Sequence, residues 1–465
     1  MSSQTSVYSG NGRHVFDRND LSALRVTINP NPEKIDLLGD FERSDAVLRW
    51  YDQEAGLKLL GFGCFAISTA SNAIQDPLEF LIEGQCYNAA DLFTRIKTKL
   101  PKWLWTTPIG FFALRFDAER MSESSPWCEW PTTLVQIPKR IIVQRDDQHA
   151  VDIRFELDKS AQDATHADEA RVDLEDALDD EWALAQQSPT LSFAEESVDF
   201  QSRVSEVEKA CRREIVDKIV VARSTHVPCE KTKVFCPRQT YAALVTDYPG
   251  TTVFSLRQGR RYFMGATPET LVRVTESRVT THALAGTAIR NPESMLSDDK
   301  IRREHSYVVD DIQASLDPLC DELQIETKPT IRPANNLFHL QTKVVGIPKA
   351  GYSIFDFVGA LHPTPALCGL PRQDSMAWLR RTEPLDRGFF GGPIGLFDAS
   401  GQGGVCAVAI RSGLLSQRDA IGFAGAGIVT GSNPRDEWTE TEAKLGAFRS
   451  ALRTVTRLDP RDTAQ

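Results

Sequence analysis

The sequence has no C-x-x-C pair; its nine cysteines, from Cys64 to Cys406, are scattered singly along 465 residues. That spacing argues against a disulfide framework and against a thiolate zinc site. Clusters of Lys and Arg are also missing. The 53 basic residues are outnumbered by 64 acidic ones, a formal net charge of −11, so a surface for nucleic-acid phosphates is not expected. The opening M-S-S-Q-T-S-V-Y-S-G lacks a basic stretch followed by an apolar run, and no segment approaches the roughly 20 apolar residues of a membrane span. The expectation is a cytoplasmic protein with no membrane partner. A dinucleotide fingerprint is absent too: the late glycines read G-x-G-x-x-x-G, and the charges after them fall on the following helix. What remains, 41% apolar and 25% charged residues, is the composition of a folded globular chain with one large core or two ordinary ones.

The first forty residues are rich in Asn, Asp, Pro and Gly and read as an edge segment or an arm ordered on contact. Leu57 to Ser68 reads as one buried strand with a bulge, followed by a helix over Ala89 to Leu100 and a strand over Ile109 to Asp117. From Arg140 to Leu157 the pattern is a half-buried antiparallel hairpin, because Val151, Ile153, Phe155 and Leu157 alternate with Asp152, Arg154 and Glu156. Between Asp158 and Phe193 the composition turns acidic and alanine-rich, which predicts an exposed, partly helical linker. The chain therefore divides into 1–157, a linker over 158–198, and 199–458. A helix over Ser202 to Asp217 leads into K-I-V-V-A-R, Lys218 to Arg223, whose apolar interior between two cations suggests a strand covered on both faces.

Ala420 to Leu445 is the densest stretch. An apolar strand runs into a glycine-rich turn through Gly425, Ala426 and Gly427, and then a helix starts with Asn433 as N-cap, Pro434 at its first position and Asp436 in its first turn. Glu437, Glu440 and Lys444, spaced i, i+3, i+7, share one face of that helix, where an oxygen-liganded cation and an anionic ligand could both be held. The same spacing suits a solvated face with an ordinary Glu–Lys pair. A second helix begins at Ser297 to Asp299 and carries an apolar stripe of Ile301, His305, Val308, Val309, Ile312 and Leu316. Glu304 lies at its margin, a costly place for a carboxylate unless something positive meets it. His339 falls in a strand, and Arg411 follows A-V-A-I in another.

Taken together and in order, K-I-V-V-A-R, G-A-T-P-E, L-A-G-T, R-R-E-H, H-P-T-P-A-L-C-G-L-P, G-G-P-I-G and A-G-A-G-I-V-T-G-S-N-P-x-x-E-W-x-E-T-x-x-K resemble the chorismate-binding enzyme family, its isochorismate synthases in particular. The resemblance runs from Lys218 to Arg449 and is faint before that, chiefly at G-F-F-A-L-R-F-D. It implies an α+β fold, a single large domain of two packed antiparallel β-sheets with outer helices. It also implies conversion of chorismate to isochorismate, with Lys218 as the base that activates water and Glu269, with a raised pKa, as the acid that protonates the departing hydroxyl. Mg²⁺ would be held by Glu304 and Glu440, with Glu437 directly or through water. Arg411, Lys444 and the backbone N–H groups of Gly425, Ala426 and Gly427 would meet substrate carboxylates, with His339 near the leaving group. Ala285, of the Ala285-Gly286-Thr287 motif, stands where aminodeoxychorismate synthases carry a lysine nucleophile, which leaves room for water. His362 to Arg372 differs from the F-P-A-x-T-x-S-G-x-P-K usual in anthranilate and salicylate synthases. A monomer without an obligatory amidotransferase subunit is expected; a salicylate synthase, or the synthase half of an amidotransferase-dependent pair, is the alternative.

Overall fold

The computed structural model describes residues 21, 23–30, 46–68, 78–82, 85–120, 125–146, 150–157, 197–288, 292–334 and 337–456. The acidic linker, 158–193, lies outside them, as does most of the N-terminal arm.

Two large antiparallel sheets dominate. The first has 11 strands, and its order places Leu24–Asn29 at one edge, Ala46–Asp52, Thr252–Gln258 and Arg261–Thr267 in the middle, and Ser412–Leu415, Asp419–Ile428, Lys218–Pro228 and Gly369–Leu370 towards the other edge. The second has 12, running from Cys320–Ile325 through Leu337–Pro348, Arg278–Ala288, Thr270–Thr275, Gly404–Val408, Pro393–Asp398 and Pro108–Leu114 to Gln85–Asn88. Strands from both halves of the chain interleave. Thr252–Gln258 pairs with Ala46–Asp52, and Pro393–Asp398 pairs with Pro108–Leu114. Described residues on both sides of the linker thus build the same sheets, and Trp50 and Phe254 of the first sheet share one apolar cluster with Phe111 and Phe397 of the second. Each such fully buried ring contributes about 1.5–3 kcal/mol relative to leaving it in water. The single α+β domain with outer helices is what the structure shows. No helix among the described residues is long and apolar enough to cross a membrane, and no disulfide joins the nine cysteines.

The Arg140–Leu157 hairpin forms as Arg140–Arg145 paired with Val151–Leu157. Asp152, on its nominally polar side, is buried and gathered by Arg140 and Arg154. Three readings need correction. Leu57 to Ser68 is two strands, Leu57–Phe62 in the first sheet and Ala66–Ser68 in the second, separated by Gly63 at φ +62°. The left-handed glycine makes the corner, and the continuous apolarity of the segment hid it. The helix placed over Ser202 to Asp217 spans Ser197–Arg212. Arg411 is not in a strand: Gly404–Val408 belongs to the second sheet and Ser412–Leu415 to the first, so Arg411 sits in the crossing at φ +51°.

The same kind of crossing recurs at Pro268-Glu269, between Arg261–Thr267 of the first sheet and Thr270–Thr275 of the second. Two helices close this region. Asp299–Leu316 is capped by the Asp298 side chain, which accepts from the Ile301 N–H at 3.0 Å, and it buries His305, Val308, Ile312 and Leu316. Pro434–Ala451 is capped by Asn433 and buries Glu437, Thr441, Leu445 and Phe448.

Candidate active site

The two crossings are tied to each other by backbone. Val408 N–H donates to the Glu269 carbonyl at 3.0 Å and Ala266 N–H to the Arg411 carbonyl at 3.3 Å. Sheet exchange therefore places Glu269 and Arg411 beside one cavity, although they are remote in sequence. Glu269 is only 8% exposed. Burial raises its pKa from 4.5 to about 7 against the opposing pull of Arg411, Lys218 and Lys444, so near neutral pH it carries a proton it can donate. Burial lowers Arg411 to about 10, opposed by Glu440 and Glu269; it stays a cation.

Lys218 begins its strand almost wholly buried, and its Nζ meets Glu304 Oε1 at 2.8 Å. This is the positive group that the margin carboxylate of the Asp299–Leu316 helix required. Gly427 is the surface they pass over: a Cβ there would lie 2.7 Å from both Glu304 Oε1 and Lys218 Cε.

His339 pairs opposite Thr287 in the second sheet, just past a register shift between Ala285 and Thr287. Its Nδ1 lies 3.3 Å from the Gly286 carbonyl and its Nε2 3.4 Å from Arg411 Nη2. A carbonyl only accepts and a guanidinium only donates, so Nδ1 carries the proton and Nε2 is the acceptor. Burial, reinforced by Arg411 and Lys444, pushes its pKa down to about 3, and the ring is neutral.

On the Pro434–Ala451 helix, Lys444 Nζ contacts Glu440 Oε1 at 2.6 Å and donates to the Gly425 carbonyl at 2.8 Å. That contact corrects the glycine-rich turn. Gly425, Ala426 and Gly427 lie inside the Asp419–Ile428 strand, opposite Ala222, Val221 and Val220. Ala222 and Val220 turn their N–H and C=O groups away from this partner, so 222/425 and 220/427 are non-hydrogen-bonded pairs. Gly425 and Gly427 consequently direct their backbone groups to the other edge, where Ser412–Leu415 pairs only as far as Gly422. Ala426 turns its own to the ladder with Val221. Two N–H groups, not three, are presented at the open edge.

Lys218, Glu269, Ala285, Gly286, Glu304 and His339 line one cavity with Arg411, Gly425, Gly427, Glu440 and Lys444. Ala426 is not part of its wall, nor is Glu437, which is buried in the helix; the Thr287 side chain lies outside the described residues. The wall also contains Val220, Leu367, Arg387, Phe390, Ile410 and Phe423, which residue patterns missed. Val220 and Leu367 sat in noted motifs, but an apolar residue gives no sign in sequence of facing a cavity instead of the core. Among the described residues no three His, Cys, Asp or Glu side chains converge on a metal position.

A family model for chorismate binding enzymes matches residues 24–453. The salicylate biosynthesis isochorismate synthase of Pseudomonas aeruginosa is 34% identical over 275 residues, 57% of this chain and 57% of that protein. The match thus spans little more than half of that relative's length. Among solved structures, the menaquinone-specific isochorismate synthase of Escherichia coli aligns with TM-score 0.68 at 21% identity, covering 92% of this chain and 95% of its own. Anthranilate synthase component I of Streptococcus pneumoniae aligns with TM-score 0.64 at 20% identity, over 85% and 92%. The fold is common to both kinds of enzyme and does not choose between them.

Proposed function

We propose, from the premise that this chain belongs to the chorismate-binding enzyme family, that it is an isochorismate synthase. The observation that carries the reading is the pairing in one cavity of a buried lysine and a buried glutamic acid protonated near pH 7. Lys218, as the free amine after giving up its ammonium proton to solvent, takes a proton from water as the oxygen bonds to C2 of chorismate. The ring double bonds shift, the C4–O bond breaks, and Glu269 protonates the departing hydroxyl so that it leaves as water. Ala285 lines the cavity with only a methyl group, so no amine nucleophile competes with water at that position. Arg411 and Lys444 supply charge for substrate carboxylates, and neutral His339 holds the Arg411 guanidinium at one nitrogen.

The charge balance supports a divalent cation. Lys218, Arg411 and Lys444 face the carboxylates Glu304 and Glu440, and a dianionic substrate would leave this set net negative. Hard carboxylate oxygens suit Mg²⁺, which keeps several waters and needs few protein ligands. Glu304 and Glu440 would hold it; Glu437, expected beside them, is buried in its helix outside the cavity wall. When bound, the ion supplies charge neutralisation at a substrate carboxylate.

The deciding experiment is incubation of the purified chain with chorismate and Mg²⁺, without glutamine or ammonia, and identification of the product. Isochorismate, formed reversibly and with little pyruvate, is expected. Anthranilate as main product overturns the reading, and substantial salicylate with pyruvate makes the protein a salicylate synthase.

Glu304→Gln and Glu440→Gln are each expected to raise the half-activating Mg²⁺ concentration by at least about 10-fold, read by Mg²⁺ titration of both activity and thermal unfolding. Wild-type behaviour at limiting Mg²⁺ would remove these residues from the metal site. Gly427→Ala tests the geometry. The atoms its Cβ meets are ends of flexible side chains, so stability should change by no more than about 1 kcal/mol. Turnover should fall by about 10²-fold because Lys218 and Glu304 are displaced.

A further inference from the structure

From Val220 onward, the strand that starts at Lys218 has no strand neighbour on one side among the described residues: Gly369–Leu370 pairs only with Lys218 and Ile219. The outward backbone groups of Val220 and Ala222 are nevertheless satisfied. Val220 N–H donates to the Cys368 carbonyl, the Val220 carbonyl accepts from Arg387, Ala222 N–H donates to Glu383, and the Ala222 carbonyl accepts from Arg203. Two of these partners form one ion pair. Arg387 Nε and Nη2 donate to the two carboxylate oxygens of Glu383 at 2.6 and 2.7 Å, and both side chains are 2% exposed.

Arg387 also reaches the cavity wall. Its Nη1 donates to the Leu367 carbonyl at 2.8 Å and its Nη2 to the Val220 carbonyl at 2.8 Å, while the guanidinium lies 4.2 Å from the Phe116 ring centroid. Of five N–H donors in a rigid fork, four are thereby directed into the protein. Arg387 lines the cavity as Arg411 does, yet it is committed to carbonyls and a carboxylate instead of to an incoming anion.

We propose that the buried Glu383–Arg387 ion pair is a positioning device: it stands in for the missing strand neighbour and fixes the backbone following Lys218 against the Leu367 wall of the substrate cavity. The proposal rests on the reading of Lys218 as the base. Arg387→Lys keeps the charge but has no planar fork to bridge Glu383, Val220 and Leu367 together. Arg387→Gln/Glu383→Gln removes both charges, so no uncompensated buried ion is left to unfold the protein.

The test compares kcat and KM for chorismate in these two variants, at a temperature where circular dichroism shows them folded, with wild type and Lys218→Ala alongside. The expected result is a fall in kcat of about 10²-fold with KM within about threefold, as for a misplaced catalytic group. A lower Tm with unchanged kcat per folded molecule would make the pair merely structural, and a raised KM with unchanged kcat would make Arg387 a substrate-binding residue; either overturns the proposal. A readout that needs no substrate separates the brace from the assigned reaction. Cyanate labelling of Lys218, followed by peptide mass spectrometry, should rise about fivefold or more in the double variant as its strand loosens, with Lys444 unchanged. If wild type does not act on chorismate, the functional reading fails and the labelling alone decides; unchanged labelling of Lys218 overturns the brace.

Discussion

Lys218→Ala is expected to lower turnover of chorismate by about 10²–10⁴-fold, the usual contribution of a positioned general base, while KM changes little. In the proposed reading the binding charge comes from Arg411 and Lys444, which the substitution leaves in place. The variant also strips Glu304 of its ion-pair partner at 2.8 Å, so some loss of stability accompanies the loss of activity. Steady-state kinetics normalised to folded protein separate the two, and Lys218→Gln, which keeps a polar group near Glu304, gives a second measure. A folded Lys218→Ala protein active within a few-fold of wild type would falsify the proposed mechanism, whatever its product. Combining Lys218→Ala with Glu269→Gln should cost less than the sum of the single effects, because both groups serve one transition state.

Glu269→Gln is expected to change activity and stability in opposite directions. Turnover should fall by about 10²–10⁴-fold, since an amide has no proton to give. In wild type the acid must be protonated, so kcat/KM should decline as pH rises through about 7, and that limb should be absent from whatever activity the variant retains. The stability effect follows from linkage. The folded pKa of Glu269 is raised from 4.5 to about 7, so between those values the folded state holds a proton that the unfolded state has released. Wild-type stability is therefore eroded as pH rises through that window, by up to about 3 kcal/mol when both states are ionised. Glutamine carries no such penalty. The variant should be more stable than wild type at pH 8 and lose that advantage near pH 4.5, as read by urea unfolding at the two pH values. Equal pH dependence of stability in the two proteins would mean that Glu269 is not buried as an acid.

Much of the candidate site was legible because its residues sit in short segments whose local chemistry is distinctive. Asn433, Pro434 and Asp436 mark a helix start by rules confined to one turn, and the helix begins there. Glu304 declared itself by lying beside an apolar stripe, which implied a cation without naming it. The partner, Lys218, could not be read from the sequence because the pairing depends on how a helix seats against a strand far away in the chain. Leu57 to Ser68 and the segment around Arg411 failed for a related reason. Hydrophobic alternation reports burial, but not which of two sheets buries a strand, and both segments cross between sheets.

The sequence by itself determined the kinds of element, because periodicity and caps are properties of contiguous residues, and its ordered motifs carried the resemblance that implied the α+β fold and named the candidate site residues. Tertiary structure alone decided that Glu269 and Arg411 share a cavity, through two sheet crossings bonded to each other. It also supplied the physical cause of the raised Glu269 pKa that the resemblance implied, desolvation opposed by three cations contributed by other elements. Gly425 and Gly427, and not Ala426, present their backbone groups because strand pairing fixes which way successive residues point. Burial, pairing register and charge environment are sums over neighbours, and the chain acquires those neighbours only by folding.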